Sequence, residues 1–303
     1  LEKITREFPD HPVAGSATKL LAWTYARQGR DSLAIATEEG LLARHGATAS
    51  EAVLAGSFLD IAHERFNQKR YREAAGAYED YLRRFQKGNG RLLALYQSGL
   101  CYLRLNRAGD AADRWEAIVR DSASAPLAER AWARAGDVYF QAERFDDARR
   151  CYLGLLDHFS NSSAASLASL RLAQCEYNAG RDTSALAAFS NVIARFPGTP
   201  AAREATRGSE RALYRLSQGP KGAEVRRRLV EQYPTSSCAS DAEYQIGKLF
   251  YQEKRFSDAA ENFRRVVSQF PGYSAADQAQ FLSAGAYAQA GAVLIRTHTR
   301  NAT

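Results

Sequence analysis

Residues 251–271 read YQEKRFSDAAENFRRVVSQFP, and residues 177–197 read YNAGRDTSALAAFSNVIARFP. Tyr, Arg, Ala, Phe and a closing Phe-Pro fall at matching places. The copies lie 74 residues apart, twice 37, so a third is expected to begin at Tyr214. YRLSQGPKGAEVRRRLVEQYP, residues 214–234, is that copy in worn form. Self-similarity at a period between about 20 and 50 residues marks a chain made by stacking one small unit that cannot bury its apolar face alone.

Shifts of 37 extend the pattern in both directions. A small residue recurs at Ala62, Gly99, Gly136, Ala173 and Gly247, with Ala22 an earlier copy three residues out of step. Twelve residues later comes alanine: Ala34, Ala74, Ala111, Ala148, Ala185 and Ala259. Four further on stands an aromatic in five copies, Tyr78, Trp115, Tyr152, Phe189 and Phe263. Small residues let two helices approach closely, and a ring beside the contact fills the remaining space, so the unit reads as a helix hairpin. Arg30, Arg70, Arg107, Arg144, Arg181 and Arg255 lie eight residues after the small position. They are expected to be structural, as cations favoured at the end of the first helix by its dipole. Pro9, Pro197, Pro234 and Pro271 close the second helices, and Asp10, Thr199, Ser236, Ser237 and Ser274 suit the caps that follow.

The stretches AGDVYFQAERFDDARRCYLGL and IGKLFYQEKRFSDAAENFRRVV resemble the tetratricopeptide repeat (TPR), in their small residue, later alanine, aromatic and final proline. The period is 37 rather than the common 34, the excess lying in the joint before each new helix. The joints REFPDHPVAGSA, RFPGTPAAREA and QFPGYSAADQA resemble those of bacterial envelope repeat proteins such as the Tol-Pal system coordinator and the outer-membrane assembly lipoprotein. The fold expected is an all-α, right-handed solenoid of about seven TPR-like hairpins, forming a single domain over 1–303. Residues 1–9 end a preceding repeat; 13–46, 47–86, 91–126, 127–160, 165–197, 201–234 and 238–271 are repeats; 275–303 begin an incomplete last one. The sixth repeat breaks the pattern, with Glu210 and Gly222 where small residue and alanine belong and Gly219-Pro220 interrupting the turn.

Composition agrees with a folded, helical chain: 45% hydrophobic, 25% charged and eight prolines in 303 residues. No apolar run approaches the roughly 18 residues that span a bilayer. The absence of Met and the truncated opening LEKITREFP suggest an internal or processed piece. Cys101, Cys151, Cys175 and Cys238 show no C-x-x-C spacing and are expected to be buried thiols. The net charge of +7 admits acidic partners, nucleic acid or an anionic surface without choosing among them.

No nucleophile constellation, metal cluster or phosphate-cradling loop stands out, so no catalytic residue, metal ligand or cofactor is expected. The glycosylation triplets at 161–163 and 301–303 are too short to carry meaning. Surface is what repeats offer, because stacked hairpins curve and first helices line the inner wall. Along those helices runs Phe66, Leu103, Phe140, Tyr177, Tyr214 and Tyr251, a stripe that packs repeat on repeat or stays open as peptide anchors. In the sixth repeat Arg203, Arg207, Arg211 and Arg215 stand four apart on one face, and residues 201–240 hold eight Lys/Arg against four Asp/Glu.

The expected partner-binding set is Arg203, Arg207, Arg211, Arg215, Tyr214, Lys248, Tyr251, Tyr177 and Phe140. The arginines and Lys248 would grip an acidic protein or peptide segment. The alternative reading of that arginine face is a solvated surface. The lysine-asparagine clamp by which related chaperone-binding repeats hold a C-terminal acid is not carried over: Lys19 matches, but Trp23 replaces the asparagine. The function expected is a non-catalytic protein-interaction scaffold, periplasmic in a bacterial envelope, with a cytoplasmic location as the alternative. Two other classes stand beside it: the regulatory or targeting arm of a larger enzyme, and an RNA-binding helical repeat, whose base-reading positions would be polar rather than aromatic or aliphatic.

Overall fold

The computed structural model describes residues 1–9, 11, 13–45, 50–219 and 222–300. Asp10, Pro220 and the triplet 301–303 lie outside the described residues. Among the described residues the regular structure is helical: α1 Glu2–Glu7, α2 Ala14–Arg27, α3 Asp31–His45, α4 Glu51–Asn67, α5 Tyr71–Arg84, α6 Arg91–Arg104, α7 Ala108–Asp121 and α8 Pro126–Gln141. It continues with α9 Phe145–His158, α10 Ala165–Asn178, α11 Asp182–Arg195, α12 Pro200–Leu216, α13 Gly222–Gln232, α14 Ser237–Gln252, α15 Phe256–Gln269 and α16 Ala276–Arg300. The chain divides into two compact units, residues 1–168 and 169–303. Each is built by the repeat-solenoid principle, in which helices pack on their sequence neighbours, as α2 on α3 and α14 on α15, and a first helix also touches the next first helix: α2 on α4 and α6 on α8 in one unit, α12 on α14 in the other.

Hairpin closure follows from side-chain size. The alanines at 34, 74, 111, 148, 185 and 259 are all buried, as are Tyr78, Trp115, Tyr152, Phe189 and Phe263. The small position lies directly under the ring. A Cβ on Gly99 would stand 2.5 Å from Trp115 Nε1, and a Cβ on Gly136 or Gly247 would stand 2.8 Å from Tyr152 Cε1 or Phe263 Cε1. Close approach of the two helices and burial of the ring are thus one packing event, which the side chains at these three positions must be small enough to permit. The sixth repeat lacks this contact, with Glu210 at the small position; Gly208 of α12 instead lies against the ring of Phe189 on α11, the second helix of the preceding repeat.

The turn arginines are structural, but for a different reason than the dipole. Arg70, Arg107, Arg144, Arg181 and Arg255 are the N-caps of second helices, where a cation faces the unfavourable pole. Acids in the first helical turn offset this: Asp110, Asp147 and Asp258 each accept from the Nε of the arginine three residues earlier at 2.8 Å. The same guanidinium groups stack on rings of the first helix, Arg107 over Tyr102 at 4.7 Å, Arg144 over Tyr139 at 4.5 Å and Arg255 over Phe250 at 4.1 Å. Their backbone N–H groups return to the carbonyl five residues back, and the residue between is left-handed: Lys69 (φ 60°), Asn106 (58°), Glu143 (57°) and Lys254 (61°), with Gly29 and Gly180 at the same place. This is the bond pattern that ends a helix with a left-handed residue.

Of the expected caps, Thr199 accepts from Ala202 N at 3.1 Å to start α12, and Ser236 accepts from Cys238 N at 3.0 Å to start α14. No disulfide joins the four cysteines; Cys101, Cys151 and Cys175 are buried and Cys238 is half-buried. Burial pushes the Cys101 thiol up to about 12. Among the described residues the last repeat is represented by α16 alone, which runs unbroken from Ala276 to Arg300 with Phe281 78% exposed. No helix of the described residues is long and apolar enough to cross a membrane.

Candidate functional site

The sixth repeat contributes α12, an amphipathic helix because its small residues occupy one side. Ala201, Ala202, Ala205, Gly208, Ser209, Ala212 and Leu213 are buried, whereas Arg203, Arg207, Arg211 and Arg215 are exposed. The four arginines therefore do share an outer face, and their surroundings divide them. Arg203 donates from Nη1 to the Gly198 carbonyl at 3.0 Å and meets no carboxylate among the described residues. Arg207 reaches Glu204 at 3.2 Å while remaining 69% exposed. Arg211 forms neither a hydrogen bond nor an ion pair among the described residues.

Arg215 belongs to the framework. Its guanidinium donates to Asp182 and to the Tyr177 carbonyl and stacks over the Tyr177 ring at 3.9 Å. The bond it donates to Asp182 holds the guanidinium proton more tightly than usual. Asp182 opens α11, so this arginine pins the hairpin turn of the fifth repeat to α12. Tyr177 is consequently covered on one face rather than open.

The tyrosines beside the face are likewise engaged. Tyr214 OH donates to Asp241 Oδ2 at 3.2 Å and Tyr273 OH to Asp241 Oδ1 at 2.8 Å, so one carboxylate on α14 links α12 to the segment before α16. Burial, then the Asp241 charge, raises the Tyr214 hydroxyl; burial, then the bond to Asp241, does the same for Tyr273. Lys248 is exposed on α14, its ammonium 5.8 Å from the Tyr244 ring.

The stripe that includes Tyr251 and Phe140 has a different packing partner from the two expected. Tyr251 meets Phe256 edge to face at 5.3 Å, and Phe66 meets Tyr71 at 5.3 Å. Phe140 meets Phe145 at 5.7 Å and belongs to the first unit, whereas the arginine face belongs to the second. These rings clasp the first helix to the opening residue of its own second helix, within one repeat, and each stays half-buried. Of the expected set, the three solvated arginines share α12 with Tyr214, Tyr177 is held by Arg215, and Lys248 stands exposed on α14. Asp182 and Asp241, which hold Arg215 and Tyr214, escaped the sequence reading because they lie 33 and 27 residues from their partners, off the 37-residue period.

Among the described residues no group of three or more His, Cys, Asp or Glu is placed to hold a metal ion. What the face can do chemically is accept carboxylates through guanidinium forks.

The sequence model of the tetratricopeptide repeat matches residues 59–126, 133–200 and 244–293, more than half of the chain. Outside the match stand the first repeat and the sixth, the latter carrying the arginine face. Solved structures of similar fold include a tetratricopeptide repeat protein from Parabacteroides merdae, at 13% identity over 89% of this chain and 98% of that one, TM-score 0.49. Another is the C-terminal part of a TPR repeat-containing protein from Cytophaga hutchinsonii, 14% identical over 86% and 98%, TM-score 0.45. A third is the TPR2AB domain of yeast Sti1 in complex with pHSP90, 11% identical over 90% and 98%, TM-score 0.43. No curated protein matches the chain. By its repeats, its buried small-alanine-aromatic register and the family match, the chain belongs to the tetratricopeptide repeat family, whose members generally mediate protein–protein interaction.

Proposed function

We propose that the chain is a non-catalytic scaffold that holds an acidic segment of a partner polypeptide on the exposed arginines of α12. The observation that carries this reading is the state of Arg203, Arg207 and Arg211: they are solvated, share one face, and lack strong internal partners, while the fourth arginine is spent on the framework. Like charges spaced four apart on a helix cost a few tenths of a kcal/mol per pair, so folding alone gives no reason for the row. Tyr214 on the same helix and Lys248 on α14 would add apolar area and a further positive charge. The face belongs to a repeat with Glu210 and Gly222 where the small residue and the alanine belong, and departures from folding rules concentrate where function is served.

The resemblance of the joints to bacterial envelope proteins supports a place in the cell envelope, which fractionation of the native source would check by recovering the chain with periplasmic or with cytoplasmic markers.

The binding test uses fluorescence anisotropy with a labelled glutamate-rich peptide carrying one tyrosine. Arg207→Ala with Arg211→Ala should leave the helical signal and melting unchanged and weaken binding by about 2 kcal/mol, roughly 30-fold. Affinity should also fall as salt is raised. Equal binding by parent and double variant at moderate salt would reduce the row to a solvated surface.

A further inference from the structure

In five repeats the residue four after the buried alanine is a buried ring; in the first repeat that place is held by Glu38 on α3, only 3% exposed. A carboxylate cannot fill the volume of a ring. The space left is a cavity of about 60 Å³ lined by Ala22, Ala34, Ile61 and their neighbours, and by Trp23 and the carboxylates of Glu38, Asp60 and Glu64. Glu38 Oε2 is buried and accepts no hydrogen bond. A buried acceptor without a donor is costly, and a buried charge without a counter-charge more so.

The surrounding cations are committed elsewhere. Lys19 of α2 pairs with Asp60 of α4, Arg65 of α4 pairs with Glu39 of α3, and Arg27 lies over the Trp23 ring at 5.3 Å. Neither Glu38 nor Glu64 forms an ion pair among the described residues. Burial raises both carboxyls above the ordinary range; the Ser57 hydroxyl and Lys19 oppose this at Glu38, while at Glu64 the Asp31 charge adds to it and His63 opposes it. The pocket is short of positive charge.

Sharing Trp23 and Asp60 with this cavity is a wider, mainly apolar trough of about 400 Å³, lined also by Ser16, Lys19, Leu20 and Val53. Leu20 is 50% and Trp23 58% exposed, both on α2. An apolar shelf therefore leads to a small acidic hole.

We infer that the first hairpin docks a partner polypeptide segment through a lysine, whose ammonium enters the cavity against Glu38 while the apolar residues flanking it lie on Leu20, Trp23 and Val53. An ammonium brings three donors and a compact charge on a thin apolar stem, matching an unpaired buried acceptor in a hole too small for a planar guanidinium. The stem suits the alanine walls, and Trp23 at the mouth adds a ring that favours cations. The site is opposite in sign to the α12 face and lies in the other unit, so neither depends on the other.

The test uses the whole chain and synthetic peptides with one central lysine between apolar residues, each with an acetyl-lysine and an arginine twin. Binding is read by surface capture and by the emission of Trp23, with Trp23→Phe identifying that signal. The parent should bind lysine peptides at least tenfold more tightly than either twin. Glu38→Gln should remove that preference. Glu38→Phe, which restores the ring, should raise the melting midpoint and abolish lysine binding, so a folded variant without the carboxylate is in hand even if Glu38→Gln is unstable. Failure of the parent to bind any lysine peptide, equal binding of the acetylated twins, a preference for arginine, or unchanged binding by Glu38→Phe would each overturn the assignment.

Discussion

Replacing Gly136 by alanine sets two effects of opposite sign against each other. In a helix interior, alanine is favoured over glycine by about 0.5–1 kcal/mol because it loses less backbone entropy on folding. The new Cβ, however, would lie 2.8 Å from Tyr152 Cε1 and 2.9 Å from Cζ, where ordinary contact begins at 3.4 Å. The ring would have to retreat by more than half an ångström. It is 2% exposed, and its hydroxyl donates to Asp137 at 2.8 Å, so it is held at both ends. Overpacking of this kind costs about 1–3 kcal/mol, and a pinned ring belongs toward the upper end. The net expectation is a loss of about 1–2 kcal/mol, with the propensity gain already deducted. Gly76, exposed in α5 with nothing within 4 Å of its would-be Cβ, is the matched control: Gly76→Ala should gain about 0.5–1 kcal/mol. Urea titrations followed by circular dichroism compare the two variants with the parent. If Gly136→Ala is as stabilising as Gly76→Ala, the hairpin is not closed by direct contact of glycine and ring, and the packing argument fails.

Glu143, left-handed at φ 57° in a turn where Gly29 and Gly180 occupy the same place, should gain about 0.5–1 kcal/mol on replacement by glycine, measured by the same titration; a loss would show that its side chain contributes more than the strain removes. Thiol titration of the native chain should find one rapidly reacting cysteine, the half-buried Cys238, with the other three appearing only on denaturation; four thiols released only by reductant would contradict the reduced assignment. Burial raises the carboxyl of Glu243, with Arg265 opposing, so the unfolded chain ionises there before the folded one does. That contribution is fully present below the unfolded-state value and is lost as pH climbs toward the folded one. Glu243→Gln should therefore show less loss of stability than the parent over the pH range above ordinary carboxylate titration, and parallel curves would remove the assignment.

The hairpins were legible in the sequence because their determinants are local and repeated: a small residue, an alanine and a ring recur at a 37-residue spacing, and each proves buried. The turn arginines were visible for the same reason, but their role was not, since the ring five residues back and the acid three residues on differ from copy to copy. Lys69, Glu143 and Lys254 gave no sign of their left-handed backbone, because long charged side chains do not advertise that conformation. The arginine row was legible as a face from its spacing of four. That Arg215 is bound inward was not, because its partner Asp182 is brought near only by the stacking of α11 on α12. Glu38 had a signal available, as one of two non-aromatic residues, with Arg226, among seven at its register position; a three-residue offset of the first repeat set it apart from the others.

Amide hydrogen exchange with and without the labelled acidic peptide tests the central claim most directly, because it locates binding without any substitution. The account predicts slowed exchange in α12, around residues 203–211, and in α14 near Lys248, with the Arg207→Ala, Arg211→Ala chain losing that protection. Protection confined to other helices, or none at a peptide concentration that saturates anisotropy, would contradict it.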